Sequence, residues 1–259
     1  MKKGYELYSL ARALDVLCCF SDEHPEWGVT ELAEYLGENK STVHRTLFSL
    51  EAKGMVEQRP NRRYVLGLRV FELGNVFRLE ADLIRTARPH MEHLARDIRL
   101  TVRLAVLENG KIYDIARADS PDPLWIQVGS GGREATCSAA GKVFLAYIKE
   151  KEARNFVSVM GMPRRTANSI TDLDALLEGL RKVRRLGYAV ENEELTSWIR
   201  SLAAPVFNDE GKVVSALEAS GTIQQLPSER DAALGERISR AAQHISHELG
   251  YYGSQARTG

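Results

Sequence analysis

Ser41, Thr42, His44 and Arg45 cluster near the start of a segment whose Val43, Leu47 and Leu50 fall at i, i+4 and i+7. On a helix this spacing puts the apolar three on one face and the polar four, with Lys40 just before them, on the other. Hydroxyls, an imidazole and a guanidinium beside a helix N-terminus suit phosphate oxygens and base edges, and the open N–H groups of a first turn favour an anion. A major groove admits such a helix, where Arg45 can read a guanine while the hydroxyls fix register. Farther on, RPNRR places Arg62 and Arg63 at the tip of a turn between two β-type runs, MVEQ and YVLG. The expectation is that both arginines lie over an adjacent minor groove or backbone.

The whole chain has a net charge of zero over 259 residues, which by itself argues against nucleic acid. The distribution argues for it. Residues 1–39 carry three basic and eight acidic side chains, residues 40–78 eight basic and three acidic, so the cationic field is local.

Three helices must hold this surface. Leu10, Leu14 and Leu17 form a helical stripe in the first; Thr30 stands where a cap for the second should be, and Gly37 closes it; Asn39 caps the third and Gly54 ends it. Short helices joined by a few residues make a helix-turn-helix, and the hairpin after them makes it winged. A helical pattern from Leu68 to about Arg88, punctuated by Gly74 and Pro89, reads as a linker helix and dimer contact. We place the boundaries at 1–68 for the winged module, 69–81 for the linker helix and 82–259 for a second domain.

That second domain alternates strands and helices. Asn109-Gly110 is a hairpin signal between TVRLAVLE and KIYDIARADS, LWIQV at 124–128 reads as a strand, and a GSGG loop follows. Ser138 can cap a helix through Tyr147, Lys149–Met160 is helical, and Asp172 starts a helix that ends at Gly187. Two strands surround Asn208–Gly211, and Ser228 with Asp231 three residues on opens a final helix. The fold class expected is α+β.

These segments together resemble the IclR family of bacterial transcriptional regulators over nearly the whole chain. The resemblance rests on GVTELAEYLGENKSTVHRTLFSLEAKGMV and YVLGLRVFELG in the first part, and CSAAGKVFLAY, GYAVENEEL and LAAPVFNDEGKVVSALEASG in the second. It implies a winged helix-turn-helix, a linker helix and a GAF-like C-terminal domain that binds a small organic effector. It also implies dimers or tetramers of dimers on double-stranded operator DNA, most often repressing and sometimes activating catabolic genes. Carried over residue by residue, it places Ala139 and Ala140 beside the effector, their N–H groups toward an oxygen. Glu191 and Ser201 fall on two further effector positions, and Glu218 and Ser220 share a strand face that completes the site.

Many relatives have glycine and cysteine where this chain has Trp198 and Ser201, and serine where it has Glu218. A buried Glu218 needs a donor, so a simple keto-acid is disfavoured unless Arg133 or Arg200 compensates. Trp198 and Glu218 together suggest an aromatic ligand carrying an N–H or hydroxyl donor.

Other classes fit less well. Cys137 precedes a helix start, where the macrodipole can lower a thiol pKa, yet no histidine is placed to form a dyad with it and no phosphate-loop motif is present. A nucleotide-sensing module acting through protein partners leaves the arginines unexplained. His90 and His93 stand at i and i+3 without acidic or cysteine companions, and three cysteines contain no C-x-x-C pair. We expect no catalytic site, cofactor or metal. With no long apolar run and no signal-peptide pattern, the expectation is a cytoplasmic protein with no membrane partner.

Overall fold

The computed structural model describes residues 7–21, 24–76, 81–122 and 132–253. The chain divides into two compact units between Glu80 and Ala81.

In the first unit α1 (Tyr8–Cys18), α2 (Val29–Leu36) and α3 (Lys40–Glu51) pack around Val16, Leu32, Ala33, Val43, Leu47 and Leu50. The α3 stripe lies inward as its spacing predicts. In α1 it does not: Leu10 and Leu14 are more than half exposed and Val16 is the fully buried residue. Periodicity locates an apolar stripe but not what covers it. Gly37 closes α2 in the left-handed region, whereas the residue before its first turn is Gly28, not Thr30. Glu31 accepts from the Gly28 N–H at 3.3 Å, so a carboxylate from the first turn reaches back to the cap residue, and no hydroxyl caps the helix.

The hairpin forms from β2 (Val56–Gln58) and β3 (Tyr64–Leu66), and β1 (Glu26–Trp27) pairs with the other edge of β3. Two residues show no period, which is why β1 escaped sequence reading. Gly67 sits where a Cβ would meet the Gly54 carbonyl oxygen at 2.1 Å, so only glycine lets the hairpin return against the end of α3. The next helix, α4 (Leu68–Val76), runs through Gly74; residues 77–80 of the expected linker lie outside the described residues.

The second unit starts with α5 (Ala81–Ile98), which contains Pro89 rather than stopping there. Its buried stripe of Leu83, Ala87, Met91, Leu94, Ala95 and Ile98 outweighs the roughly 3 kcal/mol a mid-helix proline costs. The strands are β4 (Thr101–Glu108), β5 (Lys111–Ala118), β6 (Arg133–Glu134), β7 (Ala189–Asn192), β8 (Ile199–Phe207) and β9 (Val213–Thr222). They form one antiparallel sheet in the order β6-β5-β4-β9-β8-β7. Asn109 and Gly110 both have positive φ, 49° and 79°, as the two-residue hairpin requires. The segment 124–128 and residues 129–131 of the glycine-rich loop lie outside the described residues.

The helices α6 (Ala139–Ala146), α7 (Glu150–Met160) and α8 (Leu173–Leu186) belong to the core on one face of the sheet, α5 and α9 (Asp231–Glu248) to the core on the other. Ser138 caps α6 and Asp172 caps α8 as expected. The start of α9 differs: a single 3-10 turn, Ser228–Arg230, precedes it, and no side chain caps it.

Alternation along the strands divides the two faces sharply. Val102, Leu104, Leu202, Ala204, Leu217 and Ala219 face α5 and α9, while Ala105, Ala203 and Ala216 face α6. The same alternation puts Arg103, Ser201, Glu218 and Ser220 on the α6 side. Large apolar residues thus fill one face, and small and polar residues line the other.

Candidate functional site

On α3 the side chains of Lys40, Ser41, His44 and Arg45 are exposed and Thr42 is half-buried. Neither Lys40 nor Arg45 forms an ion pair among the described residues. The Thr42 and Val43 N–H groups donate to the Asn39 carbonyl at 2.9 and 3.1 Å; the Asn39 side chain makes no cap bond. A cationic helix start with its charges uncommitted therefore faces outward.

The two tip arginines differ. Arg62 is exposed and takes a left-handed conformation, φ 62°, with its N–H donating to the Arg59 carbonyl at 2.9 Å. Arg63 turns inward instead, pairing with Glu26 at 2.9 Å and Glu31 at 2.7 Å and donating to the Glu26 carbonyl at 3.1 Å. The pairing of Glu26 with Val65 in the sheet brings that carboxylate beside Arg63, so β1 redirects the residue from a free tip to an internal tie. Bonding to the Gly28 N–H, and then to Arg63, keeps the Glu31 carboxyl below its ordinary pKa.

In the second unit, register assembles the polar face. Glu191 lies opposite Ser201, Ser201 opposite Ser220, and Arg103 opposite Glu218. Glu191 is buried, accepting from the Glu194 and Leu195 N–H groups at 2.5 and 3.1 Å and from the Ser201 hydroxyl at 3.2 Å. Burial pushes its carboxyl up to about 7 against those backbone donors, and the charges of Glu194 and Glu218 push the same way. Glu218 is fully buried, and Arg133 donates to its Oε2 at 2.7 Å. Arg133 also pairs with Asp114, which in turn meets Arg103 at 3.3 Å; Arg103 donates to Ser220. Burial raises the Asp114 carboxyl and lowers the Arg103 guanidinium. Burial also opposes the charge on Arg133, but Glu218 and Asp114 outweigh it and hold the guanidinium above its usual value.

Over this face lies the start of α6. Ala139 and Ala140 are fully buried, and the Gly141 N–H donates to the Ser138 hydroxyl at 3.1 Å. A Cβ on Gly141 would stand 2.1 Å from the Ala135 carbonyl oxygen, so glycine is what lets the helix enter here. Lys142 reaches from α6 to Glu194 at 2.5 Å and to the Val190 carbonyl at 3.0 Å.

Ala139, Ala140, Glu191, Ser201, Glu218 and Ser220 therefore share one face of the unit. Trp198 does not join them: it is 66% exposed, in the turn before β8, with φ 69°. Of the two candidate compensators, Arg133 takes the Glu218 charge, while Arg200 bonds Asn192, the Leu226 carbonyl and Asp231. Arg103, Asp114, Lys142 and Glu194 were missed; the usable signal was Arg103, a charge at a strand position whose neighbours Val102 and Leu104 are apolar. His90 bonds Glu248 at 2.8 Å, and among the described residues no group of His, Cys, Asp or Glu is arranged for a metal ion.

Residues 9–60 match the IclR helix-turn-helix domain and residues 79–247 the bacterial transcriptional regulator IclR C-terminal domain. The chain belongs to the IclR family of bacterial transcriptional regulators. It is 33% identical over 253 residues to the HTH-type transcriptional regulator KdgR of Escherichia coli, covering 97% of this chain and 96% of that one. The IclR transcriptional regulator of Alicyclobacillus acidocaldarius superposes with a TM-score of 0.78 at 31% identity, covering 95% of this chain and 100% of that one. An IclR homolog from Microbacterium hydrocarbonoxydans, complexed with 4-hydroxybenzoate, superposes at 0.80 and 26% identity, covering 93% and 98%. This IclR-family chain is thus a transcriptional regulator rather than an enzyme, with an N-terminal DNA-binding and a C-terminal effector domain. Among the described residues no helix is long and apolar enough to cross a membrane.

Proposed function

We propose that this regulator represses a catabolic operon by binding a palindromic operator through paired winged modules, and that a small organic effector on the α6 face of the sheet releases or strengthens that grip. The observation that carries the DNA half is the exposed, uncommitted cationic start of α3. Lys40, Ser41, Thr42 and His44 hold phosphates and fix register, Arg45 reads a base edge, and Arg62 lies against the neighbouring backbone or minor groove. Arg63 supports the hairpin from within. A homodimer, or a tetramer built from dimers, supplies the second half-site; the exposed Leu7, Tyr8, Leu10 and Leu14 of the α1 segment and Leu68, Phe71 and Leu73 of α4 suit a partner copy. Such a protein works where the chromosome is, in the cytoplasm.

The effector works by linkage, since a ligand that prefers one arrangement of the paired modules changes operator affinity by that preference. The residues we assign to it are Ala139, Ala140, Glu191, Ser201, Glu218 and Ser220. A hydroxyaromatic effector is the second reading, favoured by the 4-hydroxybenzoate held by the Microbacterium relative. Trp198, turned outward, lends it nothing.

Arg45→Ala is expected to cost about 1–3 kcal/mol on the cognate operator and to relax preference at one position of each half-site. Arg62→Ala should weaken all sequences alike and lower the slope of log affinity against log salt by about one per phosphate lost. Fluorescence anisotropy on the region upstream of the regulator's own gene measures both. Parent-like binding by both variants would remove the basis for this reading surface.

A further inference from the structure

Two buried carboxylate oxygens on the α6 side lack donors among the described residues. Glu218 is fully buried, yet only its Oε2 is held; Oε1 has no hydrogen-bond partner among the described residues. Glu194 Oε2 is buried and unpartnered in the same sense. The described cations on this face are committed: Arg133 to Glu218 and Asp114, Lys142 to Glu194 and the Val190 carbonyl, Arg103 to Asp114 and Ser220, and Arg117, opposite Arg103, to Asp119. A buried carboxylate oxygen without a donor is costly, so a ligand that supplies one is rewarded.

The helix overhead offers the complementary chemistry. Lys142 donates its N–H to the Ser138 carbonyl and Gly141 donates to the Ser138 hydroxyl, while the N–H groups of Ala139 and Ala140 have no acceptor among the described residues. Both alanines belong to the cluster that contains Ala203 and Ala216 on the strands below. Ala203 lies opposite Glu218 in the sheet. An anion-favouring helix start and an unmet acceptor thus lie on one face of the sheet.

We propose that Glu218 determines effector specificity by accepting a hydrogen bond from a hydroxyl group of an organic acid whose carboxylate lies at the first turn of α6. This rests on the effector-sensing reading above. A neutral hydroxyl fits better than an ammonium group, because Arg133 already occupies the other oxygen of Glu218 and would repel a second cation at that range. A keto-acid of the same size brings no donor and leaves Oε1 unmet.

Isothermal titration calorimetry on the full chain tests this with two matched pairs, 4-hydroxybenzoate against benzoate and 3-hydroxybutyrate against butyrate. The parent should bind a hydroxylated member about tenfold or more tighter than its partner, the aromatic pair or the aliphatic pair revealing which skeleton fits. In Glu218→Leu no polar atom of this side chain faces the hydroxyl, and Arg133 keeps Asp114. The preference should fall to within about threefold. Glu218→Ser, which simply withdraws the acceptor, should lose the preference as well. Equal binding within both pairs by the parent overturns the proposal, as does a preference that survives in both variants. If acids bind and alter affinity for the upstream DNA without regard to the hydroxyl, only this inference falls. If none of the four binds or alters it, the placement of the effector site falls too.

Discussion

Arg133→Met is expected to destabilise the protein by about 3–5 kcal/mol at neutral pH, the range found when one partner of a buried ion pair is removed. Arg133 is 7% exposed and holds both Glu218 and Asp114. Its loss strands a carboxylate that is wholly out of water and whose other oxygen, Oε1, already lacks a donor among the described residues. The double variant Arg133→Met with Glu218→Leu removes both charges and should recover most of the loss, because an apolar pair of similar volume is often as stable as the ions it replaces. Asp114 keeps Arg103 in either case. Urea unfolding of the parent and both variants, with unchanged m-values, gives the comparison. A single variant within about 1 kcal/mol of the parent, the scale of exposed pairs, would mean that this ion pair is solvated.

The second large effect is a pH dependence. Burial pushes the Glu191 carboxyl up to about 7 from an ordinary 4.5, so the folded state holds a proton that the unfolded chain releases earlier. Stability from this group is fully present below about pH 4.5 and is lost as pH rises through about 7, amounting to roughly 3 kcal/mol. Glu191→Gln keeps the oxygen that accepts from Glu194 and Leu195 and can still bond Ser201, but it cannot ionise. Unfolding free energies of parent and variant from pH 4.5 to 8 should therefore diverge as pH rises, the variant gaining. Parallel curves would show that Glu191 titrates like an exposed carboxyl.

Features with a local cause are legible in the sequence. Val43, Leu47 and Leu50 are buried because one helix has one inward stripe, and Ser138 and Asp172 cap their helices because each bonds an N–H within three residues. The need of Glu218 for a donor is legible too, and Arg133 meets it at one of the two oxygens. The failures have a non-local cause. Leu10 and Leu14 satisfy the same periodicity as the α3 stripe but lie exposed, while Val16 enters the core. Arg63 has the same sequence setting as Arg62, yet a two-residue strand brings Glu26 beside it and turns it inward. Trp198 was assigned by motif position, and a left-handed turn before β8 sends it outward. Arg103 and Asp114 became visible only once strand pairing brought β4, β5 and β9 together.

The partition between the two halves of the effector domain is one strand thick. β9 turns Glu218 toward α6 and its immediate neighbours Leu217 and Ala219 toward the core that contains α5, the helix by which the chain enters this domain. A side chain moved by a ligand on one side thus shares its backbone with the packing on the other. We expect the sheet to act as a drumhead, so that a ligand pressing on one surface is felt on the reverse without any relay of side chains around its edge.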